Sequence, residues 1–156
     1  MSPEGTLSFR AARREDLPAI VAMLADDALG AVRERVETPL PRSYDDAFEA
    51  IERNPDNELV VACAGDRVVG ALQLTFIPGL SHQGAWRCLI ESVRVVADAR
   101  GRGIGQAMMA WVMAHARERG ARIVQLTTHN SRDDAQRFYR RLGFEASHVG
   151  MKRTLD

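Results

Sequence analysis

Lysine is almost missing from this chain: Lys152 is the only one among 21 basic residues, and 21 acidic residues bring the formal charge to zero. A balanced chain has no global field to draw it to nucleic acid or to an anionic membrane, so neither is expected as a partner. The lone late lysine also excludes a nucleotide-triphosphate loop, which needs a lysine directly behind its last glycine. Cysteine is scarce as well. Cys63 and Cys88 sit in apolar runs with no CxxC pair or Cys/His cluster of zinc spacing, which reads as two reduced, buried thiols and no metal site. No apolar stretch reaches the roughly 18 residues of a membrane span, and "MSPEGTLSFRAARRED" lacks the apolar core of a secretion signal. A cytoplasmic protein is expected. What the chain does have is enough apolar material, 46% of 156 residues, for a single domain spanning residues 1–156 with a real core.

Periodicity orders the elements. "LSFRAA" alternates as a strand, Glu15 or Asp16 can cap a helix bearing Leu17, Ile20, Val21 and Leu24, and Gly30 breaks that pattern. "ERVETPLPRS" reads as a loop, after which Ser43 looks like the cap of a helix with Tyr44, Ala47, Phe48 and Ile51 on one face. Two β-rich runs joined by Gly65-Asp66 form a hairpin, and "WRCLIESVRVV" is a further strand. A helix carrying Ile104, Met108, Trp111, Val112 and His115 closes at Gly120; "ARIVQLTT" reads as a buried strand. "SRDDAQRFYRRLGF" is a helix with Ala135, Phe138, Tyr139 and Leu142 on one face, and "ASHVGMKR" is expected to be a last strand. The fold class that results is α/β, a mixed sheet with helices on both faces, ordered β-α-α-β-β-β-α-β-α-β.

"ADARGRGIGQAMMAW" concentrates glycine and arginine where a strand gives way to a helix. A helix start leaves its first amide N–H groups unpaired and carries about half a positive charge, so anions bind there. Gly101, Gly103 and Gly105 let a phosphate approach the backbone, and Arg100 and Arg102 can add charge-assisted hydrogen bonds. The bland alternative is a loop that simply turns strand into helix. A dinucleotide fingerprint fails because Gln106 stands where its third glycine belongs, and "LTTHN" offers no acidic residue for a ribose.

Arg100-x-x-Gly103-x-Gly105, between strand and helix, resembles the signature of the GCN5-related N-acetyltransferase (GNAT) family. Ala135, Tyr139, Gly143 and Phe144 are similar to that family's late A-x-x-x-Y-x-x-x-G-F element. The resemblance implies acetyl-coenzyme A (acetyl-CoA) as co-substrate, its pyrophosphate on the backbone of Arg100, Gly101, Arg102, Gly103, Ile104, Gly105 and Gln106. It also implies a pantetheine arm along Ser92, Val93, Arg94 and Val95, in a V where the fourth and fifth strands splay. Where the family often has an asparagine that contacts the pantetheine, this chain has Arg132, with Asn130 two positions earlier; both are candidates. A homodimer, paired through the "ASHVGMKR" strand, is a further expectation of the likeness.

Acetyl transfer to an amine needs a base, a stabilised oxyanion and a proton for the departing sulfur. Glu91 interrupts an apolar strand and is the candidate base; its alternatives are a solvated strand position or an arginine pair. Tyr139 is the candidate acid, and packing is its alternative. The oxyanion donor is expected to be the backbone N–H of Val93, Arg94 or Val95. His82, His115, His129 and His148 have no acidic partner at ligand spacing, so no metal is expected. Asp26, Asp27, Glu34 and Glu37 could attract a cationic amine or form a solvated face. The reading is an N-acetyltransferase acting on a primary amine, favoured as a small molecule, by direct attack in a ternary complex. Its alternatives are a protein lysine acetyltransferase and a non-catalytic acyl-CoA-binding regulator.

Overall fold

Alternating apolar residues build five strands, β1 (Leu7–Ala11), β2 (Asn57–Ala64), β3 (Arg67–Ile77), β4 (Trp86–Val95) and β5 (Ala121–Leu126), which lie in that order across one sheet. The structure, a computed structural model, describes residues 6–156, which divide into two compact units, one running through Gln125 and one from Leu126 onward. The first four strands are antiparallel neighbours. β4 reaches β5 through a helical crossover, and that connection makes the sheet mixed.

In the first unit, α1 (Leu17–Ala25), α2 (Ala28–Arg33) and α3 (Arg42–Arg53) follow β1, a single turn, α4 (Ser81–Gly84), joins β3 to β4, and α5 (Ile104–Glu118) joins β4 to β5. Strand alternation sorts the core onto two faces. On one, Leu17, Ile20, Met23 and Phe48 pack with Val61, Cys63 and Ala71. The other belongs to α5, whose Met108, Met109, Val112 and Ala116 are buried. Gly70 lets this helix come close, since a Cβ there would lie 2.8 Å from the Met108 sulfur. Trp111 stacks on Phe9 at 5.2 Å and on His115 at 4.6 Å. The helix end is tied to β2, where Glu58 pairs with His115 at 2.7 Å and also with Arg119. Burial pushes the Cys88 thiol up to about 11, with the nearby Glu58 charge adding to it, so this sulfur stays protonated.

Several sequence expectations shift by a residue or two. Asp16 is buried, but its carboxylate binds Arg10 (2.7 and 3.0 Å) and the Arg13 N–H (2.7 Å) instead of capping α1 through its side chain. The helical break falls at Asp26 and Asp27 rather than at Gly30, because the Asp27 side chain accepts from the Gly30 N–H (2.5 Å) and starts α2. Gly30 then sits inside that helix, against the Leu24 carbonyl. Pro41, held extended, stands at the boundary of α3, so Ser43 falls within its first turn. β5 is half-buried rather than fully buried.

In the second unit, α6 (Asp133–Arg141) ends in a turn with Gly143 at φ +93°, where the Phe144 N–H donates to the Tyr139 carbonyl (3.1 Å). Ala135, Phe138, Tyr139 and Leu142 share its half-buried face, as the spacing predicts. The strand expected at "ASHVGMKR" does not form. Residues 145–156 are exposed throughout and join no ladder, and short alternation without a paired edge does not hold a strand.

Candidate active site

The centre of β4 carries a bulge. Gln73 faces Glu91 and Ala71 faces Arg94, so Leu72 alone opposes both Ser92 and Val93. Ser92 adopts φ +55°, an uncommon value for a residue with a side chain. A bulge releases backbone groups from the ladder and re-aims the strand, and here it includes Val93, one of the three residues expected to offer an oxyanion donor. It also resets the pleat, so that Glu91 and Arg94 lie on one face of the sheet, the face packed by α1. Arg94 donates to the Val93 carbonyl (2.9 Å) and stands 3.6 Å from Asp27.

Beyond Val95 the chain passes a short turn, Ala97–Ala99, and enters the glycine loop. Gly101 and Gly103 have φ of +77° and +80°, the left-handed region that glycine adopts freely. An ideal Cβ at either would meet nothing within 4 Å, so the backbone lies open on the side where a phosphate would approach. Gly103 precedes α5 without a side-chain cap, which leaves the first helical N–H groups, with Ile104, Gly105 and Gln106, available to an anion. These residues fit a coenzyme pyrophosphate. Arg100 also ties the loop down, because its guanidinium donates to the Val95 carbonyl (3.1 Å) and pairs with Asp26 (3.0 Å) at the end of α1. Asp98 holds the loop's other shoulder, where both of its carboxylate oxygens accept from the Arg67 Nη2 (2.7 and 2.8 Å), which lowers its carboxyl below the usual range.

Glu91 is exposed on its strand. Its ladder partner Gln73 donates to Asn57 (3.0 Å), which makes a polar stripe across β2, β3 and β4. The acidic group expected to attract an amine is engaged elsewhere. Asp26 holds Arg100, Asp27 caps α2, Glu34 accepts from the Tyr44 hydroxyl (2.8 Å), and Glu37 pairs with Arg35. Burial, ahead of the Glu34 contact, raises the Tyr44 hydroxyl above its ordinary value.

In the second unit, Arg132 stands at the start of α6, where its carbonyl accepts from the Gln136 N–H (3.1 Å). The Asn130 carbonyl accepts from the Gln136 side chain (3.2 Å), which fixes this loop against the helix. Tyr139 packs edge-on between Phe138 (5.1 Å) and Phe144 (5.7 Å), so its ring has the packing role that the helical face predicts. Sequence reasoning missed the Asp26–Arg100 clamp, the Asn57–Gln73 pair and Arg87, although Gln73 and Arg87 each interrupt an apolar run and so carried a signal.

A bulged β4 leading through an open glycine loop into a crossover helix defines a coenzyme-dependent acyltransferase fold. The chain belongs to the acetyltransferase (GNAT) family, whose model matches residues 18–144. It is an N-acetyltransferase by that membership, and the family uses acetyl-CoA. Over 150 residues it is 29% identical to an aminoalkylphosphonate N-acetyltransferase of Salmonella typhimurium, covering 92% of this chain and 97% of that one. A solved structure from Bacillus halodurans, described as a transcriptional regulator, is 51% identical with a TM-score of 0.93 and covers 96% of this chain and 100% of its own. Glucosamine-6-phosphate N-acetyltransferase of Arabidopsis thaliana shares the fold at 18% identity, with a TM-score of 0.72 over 97% of this chain and 99% of its own. Among the described residues no helix is long and apolar enough to cross a membrane.

Proposed function

We propose that the protein transfers the acetyl group of acetyl-CoA to the primary amine of a small molecule, by direct attack in a ternary complex. The observation that carries this reading is the loop of Gly101 and Gly103, left-handed and open at the uncapped start of α5. When bound, acetyl-CoA supplies the acetyl thioester. The backbone from Arg100 to Gln106 holds the pyrophosphate, and Ser92 to Val95 line the pantetheine arm, with Asn130 or Arg132 as its further contact. Glu91 accepts a proton from the acceptor ammonium, directly or through a water, and frees the lone pair that attacks the carbonyl carbon. A backbone N–H at the Ser92–Val93 bulge donates to the developing oxyanion. Tyr139 donates its hydroxyl proton to sulfur as the carbon–sulfur bond breaks, and its oxygen takes back the second proton that the acetylated nitrogen sheds. The Salmonella relative's acceptor class supports a small amine here.

The test is acetyl-CoA-dependent release of free thiol against a panel of amines. Amine-dependent release is expected. Tight coenzyme binding with no turnover on any amine would instead favour the second reading, an acyl-CoA-responsive regulator, which the description of the Bacillus halodurans protein supports. The homodimer belongs to this proposal too, now resting on exposed Val149, Met151 and Leu155 rather than on a strand. Light scattering should then report twice 17.3 kDa for the full chain and the monomer mass for a chain ended at Phe144.

A further inference from the structure

Arg87 carries a charge that no carboxylate among the described residues balances, whereas Arg10, Arg67, Arg100 and Arg119 each hold one. It stands at the second position of β4, opposite Ile77 on β3, and its Nε is buried without a hydrogen-bond acceptor. A half-buried guanidinium left without an acceptor is costly, and the cost is recovered when an anion arrives. The ladder is regular from Arg87 to Glu91, pairing Arg87 with Ile77, Leu89 with Thr75 and Glu91 with Gln73. These three β4 residues therefore project from one face, with Arg87 at one end, Glu91 at the other and half-buried Leu89 between them.

We propose that Arg87 anchors an oxyanion carried by the acceptor itself, so that the acceptor is a short amine bearing a carboxylate or phosphonate. The proposal rests on the reading of Glu91 as the residue that meets the amine. Four residues of strand span about 13 Å, and both long side chains shorten that gap, which suits an amine and an anion joined by two or three carbons. Leu89 gives the alkyl link an apolar floor. The fork of a guanidinium matches either oxyanion with two parallel hydrogen bonds. The coenzyme's own phosphates are a poor fit, because the glycine loop begins beyond Val95, eight residues and about 26 Å further along the strand.

Two measurements on Arg87→Met, with Arg87→Gln as a second variant and circular dichroism as the check on folding, test it. In calorimetric titration, propylphosphonate and butanoate, which lack an amine, should bind the wild type and lose about tenfold or more in each variant, as expected when a bidentate charge pair is removed. That arm needs no turnover, so it decides the role of Arg87 even if acetyl transfer fails on every amine. In the transfer assay, KM for 3-aminopropanoate and 2-aminoethylphosphonate should rise at least about tenfold while kcat stays within about threefold, the pattern of lost uniform binding, and propylamine should be unaffected. Whichever of the two anions loses more identifies the oxyanion. Unchanged anion binding in the variants, or equal losses on propylamine and the anionic amines, would overturn the assignment. Without ligand, Arg87→Met should melt no lower than the wild type, because it removes an unpartnered charge; a lower melting temperature points to a structural role and against the proposal.

Discussion

Tyr139 and Glu91 make separable predictions at the scale of single residues. Tyr139→Phe keeps the ring that packs against Phe138 and Phe144, so coenzyme affinity and stability should change little. Turnover should fall about 10²- to 10⁴-fold, the usual loss of a general acid, in single-turnover measurements where chemistry limits the rate. Retention of more than about half the rate would return Tyr139 to packing alone. Glu91→Gln should cost most at modest pH, where the acceptor amine is protonated, and recover in part as pH rises and free amine becomes abundant. Asp16 supplies a test of stability. The Arg10 guanidinium, ahead of the Arg13 N–H, holds its carboxyl below the ordinary 3.8. Its contribution is therefore complete above pH 3.8 and is lost as pH falls through the depressed folded value. Asp16→Asn should lower the unfolding free energy by about 2 kcal/mol at pH 7, and urea titrations should show the difference from wild type shrinking as the solution becomes strongly acidic.

At the scale of elements, spacing alone located every strand of the sheet and the helices that bear its core, because burial leaves a period that composition cannot hide. Boundaries were less legible. Whether Asp16 caps a helix or pairs with Arg10 depends on a strand six residues away in sequence, and nothing local records it. Gly30 shows the same limit. Read as a breaker, it proves to be a contact point, where an ideal Cβ would lie 1.9 Å from the Leu24 carbonyl oxygen. Gly30→Ala would gain roughly 1 kcal/mol of helix propensity, but a clash with backbone costs about 1–3 kcal/mol or more and should win. Thermal melting is expected to show a lower midpoint for the variant. The glycine loop was legible because the left-handed backbone at Gly101 and Gly103 favours glycine over any residue with a side chain. The role of Arg100 as a clamp was not, since its partner Asp26 lies 74 residues away.

Across the whole molecule, most of the residues proposed for chemistry lie along one strand, with Tyr139 on α6 the exception. β4 carries Arg87, Glu91 and the bulge, then feeds the glycine loop that begins α5. The missing strand at 145–156 was illegible for the opposite reason: alternation is present, but a strand exists only when an edge accepts it. The bulge also bears on the gene. Because Leu72 opposes two residues, Ser92 and Val93, β4 carries one residue more than its ladder needs. An in-frame loss of the Ser92 codon would leave Val93 alone opposite Leu72 and Arg94 still opposite Ala71, so the flanking side chains keep their faces and only the bulge is erased. Such a deletion should leave a soluble protein with a wild-type circular dichroism spectrum that has lost acetyl transfer. The fold can do without this codon, and only the chemistry proposed for the bulge keeps it inherited.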